Sequence, residues 1–398
     1  MGRRFWLLLS AYLVSSLGNW VYRLTLPLFV LHLTGSALQT GAVYAVTFGP
    51  HLLLLLPGGL LADRLPRQRL LVTGDLAAGA LAAVLAVEAG LAPLWVIYLL
   101  AFLLACVDPL YHPAFQAIVP ELVDEVSLPV ANARLYGGDS VLNLLGPVLG
   151  GTLVVTIGYG PALYLDAATF FVSALLLTLV GPTRRPSGGR RAGLAEGARF
   201  LRASPFLWTA AWAFAAFNLC ICTVQFNVVY YLSHYEGFGP VLVGAVLGLE
   251  GLGLLLGATA APALLARYGP GTLITGGNAV MGAGVLLLPL LHGPVAIGTV
   301  WAVVFAGGGL ADVAMFTTRH RLVPSRLLGR VIGASRMIAW AAMPVAALLG
   351  GVLEEPLGGF ERVILLAGFG NLVTALLAMR SALVDPLPAQ VSLVKECP

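Results

Sequence analysis

The stretch CVDPLYHPAFQ, residues 106–116, places Asp108 and His112 four positions apart, with Tyr111 beside them and prolines at 109 and 113. On a helix that spacing puts the carboxylate and the imidazole on one face. The prolines lack backbone N–H groups, so they free carbonyls and bend the helix. In a low-dielectric setting a carboxylate beside an imidazole has a tunable proton affinity, as a proton relay requires. The same pair also suits an intrahelical ion pair that caps a kink, and the residues alone leave both readings open. Asp312, in GGGLADVAMFTTRHR, and Glu250, in VLGLEGLG, are further acids in apolar surroundings and further candidates for proton coupling. Asn19, Arg23, Asn218, Gln225 and Asn227 are further polar groups set in apolar runs.

These groups need elements to hold them, and the composition says what kind. The chain is 398 residues long, 59% hydrophobic and 10% charged, with a mean hydropathy of +0.92. Soluble domains are about 25% charged, so the solvent for most of this chain is lipid. A bilayer core of about 30 Å takes about 20 apolar residues per helix. Twelve such runs are readable, near 5–33, 36–61, 69–90, 93–119, 128–156, 159–181, 206–233, 238–266, 271–291, 294–317, 328–353 and 360–382. Their length favours helices over the alternating ten-residue segments of a barrel. The basic and apolar start, MGRRFWLLLSAYLVSS, continues past signal-peptide length and reads as the first membrane helix.

The basic residues orient the runs. Of the 22, all but Lys395 are Arg. Counted by alternate breaks, eighteen fall on one side and Arg362 alone on the other, which makes the crowded side cytoplasmic. Both termini are then cytoplasmic and the helix count is even. A net charge of +4 distributed this way serves topology and gives no nucleic-acid surface. Cys106, Cys220, Cys222 and Cys397 form neither a disulfide framework nor a zinc spacing.

The longest polar interruption, residues 182–205, separates a first set of six runs (1–181) from a second (206–382), with a cytoplasmic tail at 383–398. A short amphipathic helix is expected from Leu194 to Arg202. The halves look like weak repeats offset by about 200 residues: GPVLGG ends at Gly151 and MPVAALLGG at Gly351, while Asp312 falls opposite His112. Two similar bundles around a midplane site suit an alternating-access carrier. Between the second and third runs, PGGLLADRLPRQRLL concentrates Asp63, Arg64, Arg67 and Arg69 in one break.

That break, from Gly59 through Leu61, Ala62, Asp63, Arg64 and Arg67 to Arg69, resembles the loop signature of the major facilitator superfamily, Gly-x-Leu-Ala-Asp-Arg-x-Gly-Arg-Arg. It departs at Pro66 and Gln68. SSLGNW, LTGSALQTGAVYA, PAFQAIVPELV, LGPVLGGTL and LDAATFFVSALLL, in this order, look like the drug:H+ antiporter branch that contains macrolide and enterobactin exporters. Gly146, Pro147, Gly150 and Gly151 match the core of that branch's fifth-helix packing motif, although Leu142 stands where a glycine is usual. The resemblance implies an all-α membrane protein of two six-helix bundles whose first, fourth, seventh and tenth helices line the cavity, which makes Asn19, Arg23, Tyr111, Asn218, Gln225 and Asn227 candidates to line it. It implies a conformational latch at Gly59, Asp63, Arg64, Arg67 and Arg69, with Asp63 pairing near GRVIGASR at the start of the eleventh run. It also implies export of lipophilic compounds across the cytoplasmic membrane by proton antiport, and no cofactor or metal is expected; the sequence leaves the oligomeric state open, with a monomer as the first expectation. Lysophospholipids or siderophores are the second substrate reading. That version calls for several cavity arginines, and the sequence offers Arg23 and Arg336. An enzyme is disfavoured by the lack of a Gly-x-Ser-x-Gly, a Walker pattern or a paired His/Glu metal site, and a channel by the lack of polar rings.

Overall fold

In hydrocarbon every backbone N–H and C=O needs an internal partner, and a helix supplies one within a single segment. The computed structural model describes residues 2–62, 65–124, 127–182, 194–381 and 383, and every regular element among them is helical. In chain order these are α1 (Arg3–Thr34), α2 (Ala37–Ala62), α3 (Arg67–Glu88), α4 (Leu94–Ala105), α5 (Asp108–Leu122), α6 (Leu128–Ile157), α7 (Tyr159–Val180) and α8 (Leu194–Ala203). They continue with α9 (Pro205–Gln225), α10 (Val228–Tyr230), α11 (Pro240–Tyr268), α12 (Pro270–Leu287), α13 (Pro294–Leu322), α14 (Ser325–Leu357) and α15 (Phe360–Met379). Among the described residues ten passages are long and apolar enough to cross a bilayer; α4 with α5 forms one, and α9 with α10 and the π turn Tyr231–Tyr235 forms another. The 32-residue α1 and the 26-residue α2 have the length to cross but stand outside that set. Ser15, Ser16, Asn19 and Arg23 dilute the apolar run of α1.

The lateral faces are what lipid requires. On α7, Ala162, Phe170, Ala174 and Leu177 are buried, whereas Leu165, Val172, Leu175 and Leu179 are 41–61% exposed. An apolar face of that extent would drive association in water; hydrocarbon solvates it.

Two compact units divide the chain, one of residues 1–190 with 232–248 and the other of 191–231 with 249–398. In the first, α1 packs on α6 and α7, α3 on α7, and α2 on α5. One of its apolar clusters surrounds Phe5, Leu71, Phe115 and Leu177, and another surrounds Leu26, Ala82, Ile97 and Phe170. In the second unit, α12 packs on α13 and α15, and α9 on α14 and α15. Phe206, Ile274, Met315 and Val331 centre that core. The short α8 docks on α14, where Glu196 forms an ion pair with Arg330.

Within the first unit, small residues let backbones touch. On α6, Gly146 lies against the Trp20 side chain and Gly150 against Val21 and Leu24 of α1. The opening residues of α11 cross α6 so closely that a Cβ at Gly151 would overlap the carbonyl of Pro240, and one at Gly244 the carbonyl of Pro147. A Cβ at Gly248 would stand 2.6 Å from the Leu144 oxygen. Backbone cannot yield as a flexible side chain can, and overpacking of this kind costs about 1–3 kcal/mol. Gly244→Ala should therefore lower the thermal unfolding midpoint of the detergent-purified protein. Gly160→Ala, whose Cβ meets nothing within 4 Å, should hold or slightly raise it. Equal midpoints for the two variants would refute the close-contact account.

Candidate functional site

The first unit gathers its membrane-depth charges around the break in the fourth passage. Pro109 interrupts the hydrogen-bond ladder, so α4 ends at Ala105, Cys106 and Val107 turn, and α5 restarts with Asp108. Asp108 thus sits at the positive end of a helix dipole, which favours its carboxylate. Its Oδ2 lies 2.9 Å from His51 Nε2 on α2, and its side chain is 58% exposed, so it faces open space rather than packed helix. His112, one turn along α5, instead has its Nε2 2.9 Å from Gln116 Nε2. Asp108 remains within electrostatic reach of Arg23 and His112. Arg23 lies over the Trp20 ring at 5.3 Å, and Asn19 is half-buried on the same helix.

Asp139 on α6 joins this group. Both its oxygens accept from the Tyr12 hydroxyl, at 2.7 and 2.8 Å, and it interacts electrostatically with His112 and Arg23. The Tyr111 hydroxyl is buried, in the neighbourhood of Ser173 on α7 and of Asp75 on α3. His51 is the residue that sequence reasoning passed over. The available signal was a lone ionisable ring in the apolar run FGPHLLLLL.

In the second unit the seventh passage breaks at Phe226 and Asn227. Asn227 is wholly buried, and its amide donates to the carbonyls of Thr223 (3.0 Å) and Ala347 (3.1 Å), tying the break to α14. Asn218 donates to the Ala339 carbonyl at 2.9 Å. Glu250 accepts from Gln225 Nε2 at 2.7 Å and from Trp301 Nε1 at 3.3 Å, so two neutral donors hold this carboxylate. Asp312 is exposed on α13, within electrostatic reach of Arg319 and Arg336. Arg319 belongs by sequence to the basic end of its helix, yet it is only 7% exposed.

The latch residues divide. Asp63 and Arg64 lie outside the described residues, Gly59 is in the last turns of α2, and Arg69 is exposed on α3. Arg67 opens α3 and forms an ion pair with Glu121 at the end of α5, a partner not foreseen from the loop. Arg330, within GRVIGASR, is engaged by Glu196.

The family model of the Major Facilitator Superfamily matches residues 8–348, and the chain belongs to that superfamily. It is 27% identical over 383 residues to the uncharacterized MFS-type transporter YfiS of Bacillus subtilis, covering 88% of this chain and 87% of the relative. It is 28% identical over 396 residues to the multidrug efflux pump Tap of Mycobacterium tuberculosis, covering 94% and 92%. The fold matches the crystal structure of the nucleoside transporter NupG with a TM-score of 0.79 at 12% identity, over 95% of this chain and 99% of that one. The chain is a transporter built as a multi-pass, all-helical membrane protein.

The donors around Glu250 are fixed by their own helices. Glu250→Leu leaves the Gln225 amide and the buried Trp301 N–H without an acceptor, at about 1–3 kcal/mol for each group. Glu250→Gln keeps an acceptor and the shape. Thermal unfolding in detergent should rank wild type and Glu250→Gln close together and Glu250→Leu clearly lower. A leucine variant as stable as the glutamine variant would mean that these hydrogen bonds do not form.

Proposed function

We propose that this protein exports lipophilic small molecules across the cytoplasmic membrane by proton antiport and alternating access, with both termini in the cytoplasm. Two six-helix halves, 1–181 and 206–382, act as the moving bodies and 182–205 joins them. The likeness to a named multidrug efflux pump supports the direction and the substrate class.

One observation carries the coupling: the Asp108–His51 pair, 2.9 Å apart, between α2 and the restart of α5. A charge at the bilayer centre costs about 2.5–3.5 kcal/mol on insertion scales, so a carboxylate there calls for a function. Protonating Asp108 weakens its hold on His51 and with it the tie between two helices, and a few kcal/mol is enough to bias a two-state carrier. Arg23, His112 and Asp139 set the surrounding field, while Glu250 and Asp312 are the corresponding acids of the second half.

The test uses protein in liposomes with an imposed pH gradient, following tetraphenylphosphonium and erythromycin. Asp108→Asn should cut gradient-driven movement at least about tenfold, as removal of a coupling of ~1–3 kcal/mol would. Exchange without a gradient should survive. Full coupling in the variant would move the proton site to Glu250 or Asp312, and no gradient-driven movement in wild type would reject proton antiport.

A further inference from the structure

Asp312, Phe316 and Arg319 recur on α13 at intervals of four and three residues, so they share one face. Across from them stands Arg336 of α14. Its guanidinium lies 5.9 Å from the centroid of the Phe316 ring and 5.3 Å from that of Trp340. Because Phe316 falls between Asp312 and Arg319 along the helix, Arg336 is held at the level between them. The two arginines are within electrostatic reach of each other and of Asp312.

No ion pair within 4.0 Å involves Asp312, Arg319 or Arg336 among the described residues. Arg319 is more than nine-tenths buried, and its Nε has no hydrogen-bond partner. Two guanidinium groups therefore face a single carboxylate, with one positive charge in excess and a buried N–H left open. Arg336 lies over two aromatic rings, and a guanidinium carries a planar fork of N–H donors suited to two parallel bonds to an anion. Phe316, 44% exposed, and Trp340 offer apolar surface beside that fork.

We propose that Arg319 and Arg336, beside Asp312, form a subsite for the acid group of a lipophilic anion, a carboxylate or a phosphate, with Phe316 and Trp340 against its apolar body. Asp312 is the resident negative charge that the incoming anion must approach, and it opposes that approach. The site gives the carrier a preference for amphiphiles with an acidic end, and as a step in transport it rests on the function proposed above. The chemistry is shared by soluble organic acids and by anionic lipid headgroups.

Binding is measured on the full chain in phosphatidylcholine nanodiscs without any gradient, using radiolabelled 1-naphthylacetate and its neutral isostere 1-naphthylacetamide, then dodecyl phosphate against dodecanol. Wild type should bind at least one anion about tenfold more tightly than its neutral partner, as a charge-assisted bidentate bond implies. Arg319→Gln and Arg336→Gln should remove that preference, while Arg336→Lys restores part of it. Asp312→Asn should strengthen anion binding several-fold, a gain that a merely structural role would not produce. Arg321→Gln, half a turn round α13 from Asp312, should change nothing. Phosphatidylglycerol in the nanodiscs should suppress anion binding if a lipid headgroup is the occupant, and leave it intact if a solute is. No preference in wild type for either anion, a preference kept by both glutamine variants, or weaker binding in Asp312→Asn would each overturn the proposal. The assay needs no pH gradient, so a failure of proton antiport and a failure of this site are read separately.

Discussion

An unpartnered backbone N–H or C=O costs several kcal/mol in hydrocarbon, and the rest of this structure depends on avoiding that cost. The helical passages follow from it, and so does the placing of the exceptions. Where the ladder is interrupted, the repair is local. Pro109 ends α4, and backbone N–H groups of Cys106, Val107, Leu110 and Tyr111 close the turn before α5 restarts with Asp108. The break after Gln225 is bridged by the Asn227 amide, which reaches carbonyls on its own passage and on α14. Interruptions in a membrane helix thus become the points at which polar chemistry is affordable.

Charge placement obeys the same economy. Four of the acids within the passages are each held differently: Asp108 by an imidazole across two helices, Asp139 by a tyrosine, Glu250 by an amide and an indole, and Asp312 at a distance by two arginines. The difference has chemical consequences. Neutral donors around Glu250 tolerate either protonation state with small rearrangement. The Asp108–His51 pair changes its strength with every proton gained or lost. At Asp312 two arginines stand within electrostatic reach of one acid.

Close packing supplies the framework on which these groups are aligned. Without a hydrophobic force between helices in lipid, association rests on van der Waals contact, and small residues bring backbones near enough to gain it. Gly151, Gly244 and Gly248 do this where α11 crosses α6, and Gly150 does so against α1. Gly18 of α1 lies against the side chains of Asp166 and Thr169 on α7.

Much of this was legible in the residues alone. Apolar runs of about twenty residues and the lack of alternation specify an all-helical membrane protein, because lipid allows few alternatives. The break at Pro109 follows from one missing donor, and α8 from the polarity of the linker. The loop from Gly59 to Arg69 carries the family likeness. Pairings were not legible, since helical spacing says which residues share a face and nothing of which helix lies opposite. His112 shares a face with Asp108, yet packing of α2 against α5 gives the carboxylate to His51. Arg67 finds Glu121 because the start of α3 meets the end of α5, 54 residues on. Arg319 counts in sequence as one more basic residue at a helix end, and only the fold buries it within electrostatic reach of Asp312 and Arg336. Solvent sets a helix from its own residues; a partner is set by the neighbouring helix, and that neighbour exists only in the folded chain.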